Sequence, residues 1–565
     1  MQEKLLEYLV SHKLITRDQA DALRAAQQES RRPIRELVIE QTGVTEEQLL
    51  EALSAVSRIP IVRLYERAIA VDVRQLVRPD ILRAYTILPF AYDENDSGTL
   101  LVAMNDPMNM KGRDLVSIAS KCRIRPFLAT TDDILVSIDR YFGSEEMQEA
   151  VELYANQNSD QDRSLEDQVL QEDINSSPVV MLVNSMVEQA VRQRASDIHV
   201  EAEVDRIRVR CRVDGVLYTT ATYDMRLLSA VVARIKIISG LDISEKRKPQ
   251  DGRFTASVDR REYDVRVSVL PTVYGEKCVL RLNPKKVIHR SKEALGFSEE
   301  EMRKFNKILS RPNGIVLVTG PTGSGKSTTL YAALSEMNSE AVNIITVEDP
   351  VEANIDGINQ VQVNPKANMT FANALRSILR QDPDIIMIGE IRDSETASIA
   401  IQASITGHLV VSTLHTNDTA SSVTRLLDMG VESYLIADAT AGIIAQRLVR
   451  RLCPNCKRRH KLLQHEADYL WLRYTDMEEA EVYEPVGCQR CGGNGYYDRI
   501  GVYEIMEISN NLKGMISQRA SARDLRAAAV SEGMNTLRES VRRLVLNGTT
   551  SINEMQRIIV EDSDI

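Results

Sequence analysis

Gly320-Pro-Thr-Gly-Ser-Gly-Lys-Ser327 decides the fold. It fits G-x-x-x-x-G-K-[ST], and its flanks give the pattern meaning. Ile315-Val-Leu-Val-Thr319 ahead of it is a short apolar run that reads as a buried strand. Thr328-Thr-Leu-Tyr-Ala-Ala-Leu334 behind it carries a helical pattern. A chance Gly/Ser loop lacks these flanks. Strand, glycine-rich turn and helix together form a phosphate cradle built from Gly320, Pro321, Thr322, Gly323, Ser324, Gly325, Lys326, Ser327 and Thr328. The glycines let backbone N–H groups point at phosphate oxygens. Lys326 reaches the β- and γ-phosphates, and the Ser327 hydroxyl can ligate Mg²⁺.

Three more apolar runs follow: Val342-Asn-Ile-Ile-Thr-Val347, Ile385-Ile-Met-Ile388 and Leu409-Val-Val-Ser-Thr413. Each is short, apolar on both faces and set between helical stretches, which predicts a parallel sheet covered by helices. Polar groups follow each run: Glu348-Asp349, Gly389-Glu390-Ile391-Arg392-Asp393 and His415-Thr416-Asn417. Ligands of an open parallel sheet bind at the carboxyl ends of its strands, so these groups should converge on the phosphate loop. Phosphoryl transfer to water needs a divalent ion, an oriented water and positive charge for the developing oxyanions. Ser327 and Glu390 suit Mg²⁺, Glu348 suits the water, and His415 suits the γ-phosphate. Asp349 is a supporting group. His408 precedes its strand, lies at the far end of it and reads as structural as readily as functional.

The chain of 565 residues should hold several domains. With 43% hydrophobic but only 5% aromatic residues, its cores must be built from Leu, Ile and Val. A net charge of −11 argues against a nucleic-acid partner, whose phosphates need a basic surface. The start, Met1-Gln-Glu-Lys-Leu-Leu-Glu-Tyr-Leu9, mixes acids with apolar residues and is no secretory signal. No apolar run approaches the roughly 20 residues that span a bilayer. These points predict a cytoplasmic protein.

Residues 1 to about 60 read as two helix–turn–helix units in a weak repeat, with Thr16 and Thr45 opening corresponding helices. A small α/β unit follows, with strands over Thr99–Met104 and Ile124–Leu128. The acidic, Gln/Asn/Ser-rich stretch 143–175 reads as a tether. An amphipathic helix over Val179–Arg194 then leads into alternating strands, with a hairpin at Asp214-Gly215. Arginine is dense there: Arg206, Arg208, Arg210, Arg212, Arg253, Arg266 and Arg281. Most read as solvated strand positions. A few could reach a nucleotide, because the planar fork meets phosphate bidentately.

Cys122, Cys211 and Cys278 lie among apolar neighbours and read as buried thiols. Cys453-Pro-Asn-Cys456 and Cys488-Gln-Arg-Cys491 are different. Two CxxC turns can complete a tetrahedron of thiolates around one structural Zn²⁺. A redox pair lacks a thioredoxin-like context. The flanking Lys457-Arg-Arg-His460 leaves a zinc knuckle for nucleic acid as an alternative. Beyond Gly501 the chain reads as mostly helical.

Four motifs together, the phosphate loop, Thr346-Val-Glu-Asp-Pro-Val-Glu352, Asp382–Asp393 and Thr406–Asn417, resemble the type II/type IV secretion ATPase superfamily, in its GspE/PilB branch. The resemblance runs from about Ser177 to the C-terminus and more weakly over the N-terminal region. It implies an α/β multidomain protein with a RecA-like P-loop ATPase core over 291–565. A tetracysteine zinc subdomain at about 450–497 would lie within that core. An antiparallel α+β, PAS-like domain over 176–290 and a mainly helical/α+β docking domain over 1–142 would precede it. It also implies a homo-hexamer that hydrolyses Mg²⁺-ATP, with Arg266 and Arg281 supplied to the nucleotide. The ring would sit in the cytoplasm, peripheral to the inner face of the membrane, on inner-membrane platform proteins. Type IV pilus assembly and type II secretion both fit; a nucleic-acid translocase is a rival of another class. In some relatives the N-terminal domain binds cyclic di-GMP through glycines near the start of each repeat. The matching positions here hold Leu6, Lys13 and Arg35, with Gly43 retained, which favours a protein-docking module over a cyclic di-GMP site.

Overall fold

Two threonines open corresponding helices of the N-terminal repeat in the same way. Thr16 Oγ1 accepts the amide of Gln19, whose side chain accepts the amide of Thr16. Thr45 and Gln48 make the same reciprocal pair. Such a capping box satisfies two donors that a helix start leaves open. The helices are α1 (Gln2–Ser11), α2 (Arg17–Ser30), α3 (Ile34–Gln41) and α4 (Glu46–Ser57), and their leucines share one small core. This computed structural model describes residues 2–142 apart from 31, 68 and 140, residues 178–285 apart from 260, and residues 292–472 and 480–563. The expected tether lies outside them.

The chain divides into two compact units. One holds Met1–Val213, Leu217–Phe254 and Arg266–Leu282; the other holds Asp214–Val216, Thr255–Val265 and Asn283–Ile565. After the helical repeat come β1 (Ile87–Asp93), β2 (Asp96–Met104) and β3 (Arg123–Leu128). β1 pairs antiparallel with β2, and β3 runs parallel to β2. Helix Pro178–Arg192 then precedes β4 (Ala195–Ala202), β5 (Arg206–Val213), β6 (Val216–Asp224), β7 (Gln250–Val258), β8 (Arg261–Thr272) and β9 (Gly275–Pro284). These six form one sheet in the order β6-β5-β4-β9-β8-β7. Ala195–Ala202, directly after the helix, is a central strand of that sheet. β7 went unread because only its second half, Phe254, Ala256 and Val258, alternates apolar with polar, after Gln250-Asp-Gly-Arg253.

The remaining strands are β10 (Gly314–Thr319), β11 (Ile344–Glu348), β12 (Asn359–Gln362), β13 (Ile385–Ile388), β14 (Leu409–Leu414), β15 (Thr440–Leu452), β16 (Arg458–His460), β17 (Val482–Glu484) and β18 (Tyr496–Glu507). Seven of them form a sheet in the order β12-β11-β13-β14-β10-β15-β18, parallel except for β18. Alternation along the strands builds two cores. Ile315, Leu317, Val347, Ile388 and Val410 enter one; Val316, Val318, Ile344, Met387 and Val411 enter the other. Successive side chains leave opposite faces of a strand, so a run apolar at every position is what a sheet covered on both sides requires. Gly501–Glu507 completes β18, and beyond it the chain is mostly helical, as expected. Helices Ala522–Ser531, Leu537–Leu546 and Ile552–Ser563 follow. Among the described residues no helix is long and apolar enough to cross a membrane.

Candidate active site

The phosphate loop leaves β10 at Gly320, whose φ is 147°. A Cβ there would sit 2.4 Å from the Gln446 carbonyl oxygen and 2.7 Å from Ser324 Oγ, so only glycine lets the turn lie down on β15. Gly325 caps helix Lys326–Met337 without a side-chain acceptor. The first-turn amides are thereby left to an anion, and the helix dipole favours negative charge at this end. Ser327 and Thr328 are exposed on that turn, while Ser324 is 4% exposed and its hydroxyl has no partner.

Lys326 is folded back. Its Nζ donates to the carbonyls of Gly320 at 2.7 Å and Pro321 at 3.1 Å. Burial pulls its pKa down to about 8; the charge of Glu390 opposes that fall and Arg447 adds to it. The side chain is therefore an ammonium held in a cage meant for a counter-charge. A phosphate would supply that charge and raise the pKa.

The strand ends converge as their order predicts. Glu390, just past β13, lies 3.0 Å from Nε2 of His415, just past β14, and 2.5 Å from Arg392. Burial would raise the Glu390 pKa, but Arg392 and His415 outweigh it and hold the carboxyl below its usual range. Glu348 ends β11 at 3% exposure. Thr346, on the same strand face, donates to its Oε1 at 2.6 Å, Gln360 Nε2 donates at 3.1 Å, and the Tyr331 hydroxyl donates to Oε2. The loop after β14 is tied to the phosphate loop: the Thr416 amide donates to Thr319 Oγ1 at 2.9 Å, and Arg447 donates to Asn417. Lys326, Glu390 and His415 are thus brought together, and Glu348 lies on the adjoining strand, where Val347 pairs with Ile388.

Sequence reasoning missed Tyr331, Gln360 and Arg447. Only Thr346 carried a signal, two residues before an acid on a strand. His408 sits at the start of β14, where its Nδ1 meets the Ala403 carbonyl at 3.0 Å. In the other unit Arg281 pairs with Asp197 at 3.0 Å. Arg210 pairs with Glu201 at 2.7 Å, and Arg206 and Arg208 reach Glu203. Arg266 lies on β8.

The four thiols Cys453, Cys456, Cys488 and Cys491 lie within 4.8 Å of one another, three pairs being 3.8 Å apart. Sulfurs about 2.3 Å from a tetrahedral ion stand about 3.8 Å apart, so the cluster fits one metal. The amides of Cys488 and Gly495 donate to Cys491 Sγ at 3.1 and 3.2 Å, as suits a thiolate. In the N-terminal repeat, Arg35 donates to Glu46 at 3.0 Å and to Thr131 at 3.2 Å.

The family described as "Type II/IV secretion system protein" matches residues 172–557, and the MshEN domain matches 57–148. The chain is 40% identical over 562 residues to the type IV pilus assembly ATPase PilB of Myxococcus xanthus, covering 98% of each. It is 48% identical over 382 residues to the type II secretion system protein HxcR of Pseudomonas aeruginosa, covering 68% of this chain and 77% of that one. The Legionella pneumophila ATPase DotB shares the fold: TM-score 0.50 at 21% identity, over 67% of this chain and 96% of that structure.

Proposed function

The chain belongs to the type II/IV secretion system protein family and is an ATP hydrolase, and on that premise we propose that it is the motor that assembles a type IV pilus-like filament. One observation favours the pilus reading over type II secretion. The match to a pilus-assembly ATPase covers 98% of both chains, N-terminal region included, whereas that to HxcR covers 68% of this one. The secretion motor is the alternative reading. The motor is a cytoplasmic homo-hexamer, docked through its N-terminal domain on an inner-membrane platform. A nucleic-acid translocase is the less favoured reading.

In this reading the phosphate-loop amides and Lys326 bind the β- and γ-phosphates. Mg²⁺, when bound, neutralises phosphate oxygens, and Ser327 and Glu390 are the residues to hold it. Glu348 accepts the proton of the attacking water, His415 contacts the γ-phosphate, and Arg266 and Arg281 add positive charge from the preceding domain. Hydrolysis rotates that domain against the core. The four cysteines hold a structural Zn²⁺ with no open position. The N-terminal domain docks proteins rather than cyclic di-GMP, a reading that Arg35 in its internal pairing supports.

The test is ATPase activity of the wild type and of Glu348→Ala, each with its mass in solution. The wild type should turn over as a hexamer, and the variant should form the ring without turnover. Full activity in the variant would remove Glu348 from its role and bring Glu390 forward. A wild-type ring without turnover would overturn the motor.

A further inference from the structure

Glu348 is held with unusual completeness for a group that must meet water. It is 3% exposed, and both of its oxygens are taken by neutral donors, Thr346 and Gln360 on Oε1 and Tyr331 on Oε2. Tyr331 stands one and a half turns past Lys326 on the phosphate-loop helix. Its oxygen also accepts the amide of Glu352 at 3.2 Å, across the loop that follows Glu348. One phenol therefore joins three things: the helix that carries the phosphate-binding lysine, the carboxylate at the end of β11, and the backbone beyond it. Gln360 reinforces the same corner, with Nε2 on the Ala353 carbonyl at 2.9 Å and Oε1 on the Ile355 amide at 2.8 Å. Burial and the neighbouring carboxylate push the Tyr331 phenol above its ordinary value, so it stays a donor throughout the working pH range.

We propose that Tyr331, with Thr346 and Gln360, is a positioning residue for hydrolysis: it fixes the orientation of the Glu348 carboxylate and ties it to the phosphate-loop helix. The inference rests on Glu348 being the water-activating acid. A movement of the helix on nucleotide binding then reaches Glu348 through one hydrogen bond, and the acid is aimed only when the phosphates are in place. The phenol touches no phosphate in this scheme and acts through the carboxylate alone.

Tyr331→Phe keeps the ring and removes the donor. A carboxylate short of one donor is free to turn away from the attacking water, so kcat should fall about tenfold with KM for ATP unchanged. Added to Glu348→Gln, Tyr331→Phe should have no further effect, because the group it serves is gone. Should the phenylalanine variant fail to assemble, Thr346→Val removes a donor from the other oxygen of the same carboxylate and should lower kcat the same way, KM again unchanged. A wild-type kcat in both variants, or full additivity with Glu348→Gln, overturns the positioning role while leaving Glu348 in place. Wild-type turnover in Glu348→Gln alone overturns the underlying assignment and this inference together.

Discussion

Glu348 and Glu390 stand at the ends of neighbouring parallel strands, yet they live in opposite surroundings. Glu348 is sealed under three neutral donors. The Glu390 side chain, 13% exposed, is held by the Arg392 guanidinium and the His415 imidazole. The order of the sheet delivers both acids to one edge; what packs around each decides what it can do. Neutral donors orient a carboxylate but leave it its whole negative charge, as a proton acceptor requires. Cationic neighbours partly neutralise a carboxylate and keep it ionised well into acid, as suits a group that takes a metal ion in exchange for its partners. The difference supports the proposed roles more strongly than either position does alone.

The largest expected effect tests that division directly. Glu348→Gln keeps the size of the side chain but replaces an accepting oxygen with an amide nitrogen that cannot take a proton, so kcat should fall about 10²–10⁴-fold with nucleotide affinity nearly intact. Glu390→Gln should act on the ion instead: half-saturation in Mg²⁺ should rise, and excess Mg²⁺ should restore much of the rate. Titrating both variants with Mg²⁺ at saturating ATP separates the two. If Glu390→Gln shows the pure kcat defect and Glu348→Gln the Mg²⁺ defect, the roles are exchanged.

Lys326 sharpens the comparison from the other side, because it feels the charge of Glu390. The lysine is 8% exposed, and burial depresses its pKa to about 8 from an ordinary value near 10.4. The folded chain therefore binds this proton less well than the unfolded one. Stability lost to the buried charge is greatest below pH 8 and regained as pH rises towards 10.4. Lys326→Met should stabilise the nucleotide-free protein by about 2 kcal/mol at neutral pH, with a gain that fades over that window, while abolishing ATP binding. Thermal melts from pH 6 to 10 check this. The gain should be larger beside Glu390→Gln, which removes the favourable partner, and unchanged beside Glu348→Gln. Equal gains in the two backgrounds would mean that the acids are not electrostatically distinct.

How much of this was legible in the sequence follows the same line between local and distant causes. The phosphate loop and the three buried strands could be read because their signal is continuous: a fixed spacing, and apolar side chains at every position of short runs. β15 carried apolar residues too, but Arg447 and Arg450 interrupt them, and both are satisfied far away, Arg447 by Asn417 and Arg450 by Glu554 at 2.8 Å. A local pattern cannot show a partner 104 residues on. Tyr331 failed to stand out for the same reason. Its ring sits in the core beside Leu330 and Leu334, as the helical pattern foretold, and only the fold shows where its hydroxyl ends. The residues that bind phosphate were visible because their chemistry lies in the backbone turn. Those that aim the acid were not, because theirs lies in packing.

The smallest expected effect concerns His415, and it separates an electrostatic partner from a phosphate contact. His415 is one of two groups that hold the Glu390 pKa down, and it is the weaker, since Arg392 stands first among the lowering causes. Its side chain is 47% exposed, so water screens much of its charge. Removing it in His415→Ala should let the Glu390 pKa climb part of the way back. A depressed carboxylate is lost as pH falls through its folded pKa, so the acid limb of Mg²⁺-dependent turnover should begin at slightly higher pH. The movement should be a few tenths of a unit, and larger in Arg392→Ala. His415→Gln keeps a hydrogen-bond donor without the charge, and resolves the two roles. If it retains the wild-type rate with the limb moved, His415 acts through Glu390. If it loses rate at every pH with the limb unmoved, the imidazole serves the γ-phosphate itself, and Glu390 owes its low pKa to Arg392.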